Sequence, residues 1–127
     1  MAGGGQGDFV ALIQGNSVGS PNVGAGNITT GILAQFGAVS TDDPKVCLTL
    51  GGSTAGLKNI LTSSGQNGGF DIRLRVRFKT LIGVVGYAGA NNDDPAMDTF
   101  LTNNNTLATV NATNNALTGS GWTGVCP

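Results

Sequence analysis

The chain has 127 residues, with Lys+Arg 6 against Asp+Glu 7, 22 Gly, no His and, on inspection, no Glu; only 10% of the residues are charged. That length allows one domain with a modest core. Without His the usual general base and the commonest metal ligand are missing, which leaves Asp, Cys, Lys and Tyr for any acid–base work. The chain therefore reads as a non-enzyme without a cofactor. At 39% hydrophobic it is set apart from charge-rich disordered chains. No stretch approaches the roughly 18 apolar residues that span a bilayer. The segment Met1 to Asp8 has no positive charge ahead of the apolar run Phe9 to Ile13, so neither a membrane partner nor a secretory signal is expected.

In chain order, Phe9 to Gln14 predicts a first strand, closed by the turn-rich Gly15 to Asn22. Ile28 to Phe36 is β-branched and apolar enough for a second, broken by Ser40-Thr41-Asp42-Asp43-Pro44. Lys45 to Leu50 alternates, with Val46, Leu48 and Leu50 on a dry face and Lys45, Cys47 and Thr49 on a wet one. Leu57 to Ser63 is a weaker strand candidate, and Ser64 to Gly69 reads as a hairpin connection. From Phe70 to Lys79 the even positions are all apolar and the odd positions all charged. This period of two predicts a strand with Phe70, Ile72, Leu74, Val76 and Phe78 buried and Arg73, Arg75, Arg77 and Lys79 in a row on the other face. Leu81 to Tyr87 continues or follows it. Asp94 before Pro95 is a helix start, Asp94 serving as the cap. Phe100, Asn103, Leu107, Val110, Asn114 and Leu117 share a helical spacing. Ala108 to Ala112 would also alternate as a strand, and the Asn and Thr of this region are poor helix formers. The start signal favours a helix broken in the middle.

Four of the six positive charges sit on the wet side of the Phe70–Lys79 strand. Alternate residues of a strand are about 7 Å apart, so these like charges repel, and a polyanion would relieve the repulsion. Phosphate of nucleic acid is the expected partner; a solvated sheet face or a charge-guarded edge strand is the structural alternative. Asp42-Asp43 and Asn91-Asn92-Asp93-Asp94 lack the spaced ligands of a calcium loop and read as turns and caps. Trp122 reads as a packing anchor for the C-terminus. Cys47 and Cys126 read as unpaired thiols, with an inter-subunit disulfide through Cys126 as the alternative.

The order of these pieces resembles the coat proteins of single-stranded RNA bacteriophages, the levivirus group. The resemblance is carried by Phe9 to Gln14, by Asn27 to Val39, by Lys45-Val46-Cys47-Leu48-Thr49-Leu50, by the basic strand, and by Ala90-Asn91-Asn92-Asp93-Asp94-Pro95 through Leu117. It implies an α+β fold, with an N-terminal hairpin, an antiparallel β-sheet and C-terminal helices that pack on a partner subunit. Residues 1–127 would form a single coat domain, hairpin and sheet in 1–90 and a helical region in 91–127. The implied function is that of a capsid protein, an obligate homodimer closing an icosahedral shell around single-stranded RNA, found in the virion and assembled in the bacterial host cytoplasm. Cys47, Thr49 and Lys45 would then join Arg73, Arg75, Arg77 and Lys79 on an interior RNA-binding face that could also repress translation through an RNA hairpin. Gly51 stands where relatives carry a basic residue, and Tyr87 is the candidate for a base-stacking tyrosine. The rival readings are a bacterial surface or pilus-like adhesive domain, which an intrachain Cys47–Cys126 disulfide would favour, and a phage decoration protein forming small oligomers.

Overall fold

The computed structural model describes residues 2–3, 7–19, 28–62, 65, 67–78, 80–114 and 121–127. Its strands are β1 (Ala2–Gly3), β2 (Asp8–Ile13), β3 (Ile32–Phe36), β4 (Lys45–Leu50), β5 (Ile72–Val76), β6 (Leu81–Val84), β7 (Val110–Asn114) and β8 (Gly121–Thr123), with one helix, α1 (Asp94–Asn104), between β6 and β7. Odd-numbered strands form one sheet, in the order β1-β3-β5-β7; even-numbered strands form a second, β2-β4-β6-β8. Every pairing is parallel. The chain thus alternates between two sheets and adds one strand to each on every circuit, which is a β-solenoid of four coils. At a third side the coils touch through single parallel bridges, Ser17 to Ile60 and Ile60 to Thr106.

This architecture corrects the expected antiparallel sheet with an N-terminal hairpin and C-terminal helices. A period of two reports which face of a strand is dry, and it is the same for parallel and antiparallel neighbours. What decides is the connection. Successive strands pass to the other sheet, and each full coil brings the chain back to the same sheet in the same direction instead of folding it back as a hairpin. The region 91–127 is likewise not helical throughout. α1 ends at Asn104, and the alternating Val110–Asn114 pairs with β5 as a strand.

The alternation reads correctly at the level of faces. Val46, Leu48 and Leu50 of β4 and Ile72, Leu74 and Val76 of β5 are all buried, and the ring of Phe9 on β2 meets that of Phe36 on β3 at 5.4 Å between the two sheets. Register stacks like upon like from coil to coil: Phe9, Val46, Ile82 and Trp122 in one sheet, and Ala34, Leu74 and Ala112 in the other. Each buried aliphatic side chain contributes about 1.5–3 kcal/mol, so the ladders of apolar residues supply the main cohesion. Trp122 is buried, as its packing role required. Phe70 and Phe78 are only half-buried, because the strand is shorter than the pattern. Phe78 takes a left-handed φ of 41°, and the Thr80 N–H donates to its carbonyl, which turns the chain toward β6. Of the weak candidate Leu57–Ser63, the described residues 57–62 hold the end of a short 3-10 turn (Ala55–Leu57) and isolated bridges at Ile60, not a strand, and Ser63 lies outside the described residues.

A column of asparagines runs along one corner. Asn16 Nδ2 donates to Asn59 Oδ1 at 2.9 Å, and Asn59 Nδ2 donates to Asn105 Oδ1 at 2.8 Å. Each amide also bonds the main chain beside it: Asn59 Nδ2 to Ile13 O, Asn105 Nδ2 to Leu50 O and Leu101 O. Asn59 and Asn105 are buried, so these bonds satisfy polar groups that would otherwise be costly. Gly51, with φ +79°, lies against this column, and a Cβ there would fall on Asn104 O and the Asn105 side chain. Only glycine fits, which is why no basic side chain stands at that position.

α1 closes the C-terminal end. Asp93, not Asp94, is its cap, accepting from Ala96 N–H at 3.0 Å, with Pro95 in the first turn. Met97 and Leu101 are buried. Asp98 Oδ1 accepts from the Ala112 N–H of β7, and Asn92 Oδ1 accepts from the Trp122 N–H of β8. The segment before and within α1 therefore satisfies donors on the last strand of each sheet, which would otherwise be open edges.

Candidate functional site

β5 lies inside its sheet, between β3 and β7. Because Ile72, Leu74 and Val76 point into the core, Arg73 and Arg75 point outward, and Arg77 follows just past the strand end. The row is therefore not an edge guarded by charge. Leu33 and Asn111 stand in register with Arg73, and Gln35 and Thr113 with Arg75, so no carboxylate faces the row from either neighbouring strand. The guanidinium of Arg73 lies over the Phe70 ring at 5.8 Å, and that of Arg77 over Phe78 at 5.2 Å. The Nε atoms of Arg73 and Arg75 are buried without an acceptor. Burial, followed by the like charges of Arg77 and Arg73, pulls the Arg75 guanidinium below its usual pKa. Lys79, the fourth member of the row, lies outside the described residues, as does Leu117.

Asp71 departs from the pattern. Although an odd position, it is buried, and its carboxylate accepts from Gly65 N–H through Oδ1 and from Ala108 and Thr109 N–H through Oδ2. It joins the turn ahead of β5 to the turn ahead of β7. Sequence reasoning missed it, and the one signal available was that a lone acid interrupts a basic row.

The other expected RNA-binding residues are elsewhere. Lys45, Cys47 and Thr49 face outward from β4, in the second sheet, so they cannot share a surface with the arginines. Both sheets pack their inner faces on one core, and their outer faces look apart. The outer face of β4 is flanked by the exposed apolar Val10 and Leu12 of β2. Tyr87 is no stacking platform either. It is buried, its hydroxyl donates to Ala90 O at 2.7 Å, and its ring meets Phe100 edge-on.

Cys47 and Cys126 form an intrachain disulfide, with Cα atoms 4.9 Å apart. This replaces both the unpaired thiols and the inter-subunit bond expected through Cys126. The C-terminal tail leaves β8 and crosses the outer face of the second sheet, passing over β6 at Gly83, where a Cβ would fall on the Cys126 backbone. A glycine on the intervening strand thus lets the last coil reach Cys47 on β4. Among the described residues no three acidic or cysteine side chains are grouped to hold a metal ion, and no helix is long and apolar enough to cross a membrane. No protein-family model, curated protein or solved structure matches the chain.

Proposed function

We propose that this chain is a non-catalytic recognition module of an exported, surface-displayed protein, an adhesive β-solenoid. The observation that carries this reading is the Cys47–Cys126 disulfide, which ties the tail beyond the last coil to the second coil. Disulfides persist in oxidising compartments such as the bacterial periplasm and cell surface, and are rare in the reducing cytosol. The stack supports the same reading: parallel coils offer broad, flat sheet faces on which side chains repeat at fixed spacing, a geometry suited to extended ligands. The shell-forming reading rests on an antiparallel sheet and on C-terminal helices that pack on a partner subunit. With parallel coils and, among the described residues, one helix that covers the end of the stack, those supports are gone.

The test is to produce the full chain in the periplasm and in the cytoplasm of a bacterial host, count free thiols after denaturation, and examine both preparations by size exclusion and electron microscopy. The expected result is no free thiol in periplasmic protein, small soluble species, and a loss of about 2–4 kcal/mol of stability in Cys126→Ser. Closed, RNA-containing particles with both thiols free would overturn the proposal and restore the capsid reading.

A further inference from the structure

Rows of like charge on a sheet commonly serve to keep an edge from pairing. That explanation does not apply to β5, which has a partner on each side. Its arginines are held at the two-residue spacing of a strand, with uncharged residues in register on both flanks and two buried Nε donors left without an acceptor. An unpaired buried donor beside like charges detracts from stability, and among the described residues no acceptor meets either Nε. The guanidinium fork matches planar or tetrahedral oxyanions in a bidentate manner, and a straight row of such forks matches an extended chain of anions.

We propose that the outer face of the odd-strand sheet binds a linear acidic polysaccharide, its carboxylate or sulfate groups engaged by Arg73, Arg75 and Arg77 and its hydroxyls by the half-buried Gln35 amide. Single-stranded nucleic-acid sites combine a cationic track with open aromatic faces on which bases stack. Here the aromatic residues flanking the row, Phe70 and Phe78, each lie beneath an arginine of the row, and the neighbouring strand β3 sets Leu33 and Gln35 in register beside it. Sugar hydroxyls suit that surface better than bases do. The anion site stands on the row alone, whereas the choice of polysaccharide over nucleic acid rests on the exported, adhesive reading.

The experiment measures binding of the oxidised full chain to immobilised polygalacturonate, dextran sulfate, poly(U) and neutral dextran by biolayer interferometry at two salt concentrations. Variants are Arg73→Ala with Arg75→Ala, Arg75→Lys, and Lys45→Ala on the opposite sheet. Binding to an acidic polysaccharide is expected, weakening steeply with salt, at least tenfold weaker in the double variant, partly kept in Arg75→Lys and unchanged in Lys45→Ala, with the thermal midpoint of the double variant unchanged or raised. Should the double variant fail to fold, Arg75→Gln alone carries the comparison. No binding to any anionic polymer, or equal weakening in Lys45→Ala, overturns the site. Binding to poly(U) alone by a disulfide-closed, particle-free chain overturns the polysaccharide while leaving the exported reading intact. Poly(U) binding by a chain that keeps both thiols free and packs RNA into particles overturns both.

Discussion

The asparagine column makes a quantitative expectation for Asn59→Ala. The Asn59 side chain donates to Ile13 O at 3.0 Å and Asn105 Oδ1 at 2.8 Å, and accepts from Asn16 Nδ2 at 2.9 Å and Asn16 N–H at 3.1 Å. Each such bond has a net worth of about 0.5–1.5 kcal/mol. The neighbours are not all orphaned: Ile13 O still accepts from Gly51 N–H, Asn105 Oδ1 still accepts from Asn59 N–H, and Asn16 is exposed to water. The loss therefore falls in the lower half of the summed range, about 2–4 kcal/mol, or roughly 10 °C in thermal midpoint for a domain of this size. Asn16→Ala, at the exposed end of the column, removes only the bonds to Asn59 and Gln14 and should cost about 1 kcal/mol or less. Asn59→Asp should be worse than Asn59→Ala at neutral pH, because a carboxylate would face Asn105 Oδ1 and Ile13 O where a donor is required. Circular dichroism melts and denaturant titrations of the oxidised variants give the comparison. If Asn59→Ala costs no more than Asn16→Ala, the column does not bind the coils together and the reasoning fails.

Asp98 gives a pH signature. Burial holds its carboxyl above the usual Asp range, partly offset by the hydrogen bond from Ala112 N–H. The folded chain thus binds that proton more tightly than the unfolded chain, so the contribution is full below the ordinary Asp pKa and lost as pH rises through the raised value. Asp98→Asn keeps an acceptor for Ala112 and should melt at an equal or higher temperature at pH 7, while Asp98→Ala should lose about 1 kcal/mol; melts from pH 3 to 8 distinguish these. Gly83→Val should block the tail from crossing β6 and leave two free thiols per chain after air oxidation. Gly56→Ala, where a Cβ meets open space, should oxidise normally, and a thiol assay reads both.

Local facts were legible in the residues because they depend on neighbours one or two positions away. Lys45–Leu50 emerged as a strand with the expected dry face, and the arginines share an outer face because Ile72, Leu74 and Val76 need the inner one. The direction of pairing was not legible, since Leu74 finds its partners in Ala34 and Ala112, residues whose identities do not mark one another. The repeat was hidden for the same reason: Phe9, Val46, Ile82 and Trp122 occupy one column yet share only apolarity. The asparagines at 16, 59 and 105, each followed by a residue that makes a bridge at the third side, were the available sign. For Val110–Asn114, tertiary pairing prevailed over a helical spacing that its Asn and Thr content supports only weakly. The division of the expected RNA face between two sheets follows from the same missing topology.

The bond between Cys47 and Cys126 also fixes how the chain would carry a mechanical load. Tension applied between Met1 and Pro127 passes along the backbone to Cys47, crosses the sulfurs to Cys126 and leaves by the last residue. Everything from Leu48 to Val125 lies off that path, including β5 and the whole of α1. Force can draw out only the segment up to Cys47, about 160 Å at full extension, against about 440 Å for the reduced chain. The arginine-bearing strand sits in the bypassed loop, so a ligand held by the arginines would remain on an unstretched strand while β1, β2 and β3, with Gln35, yield.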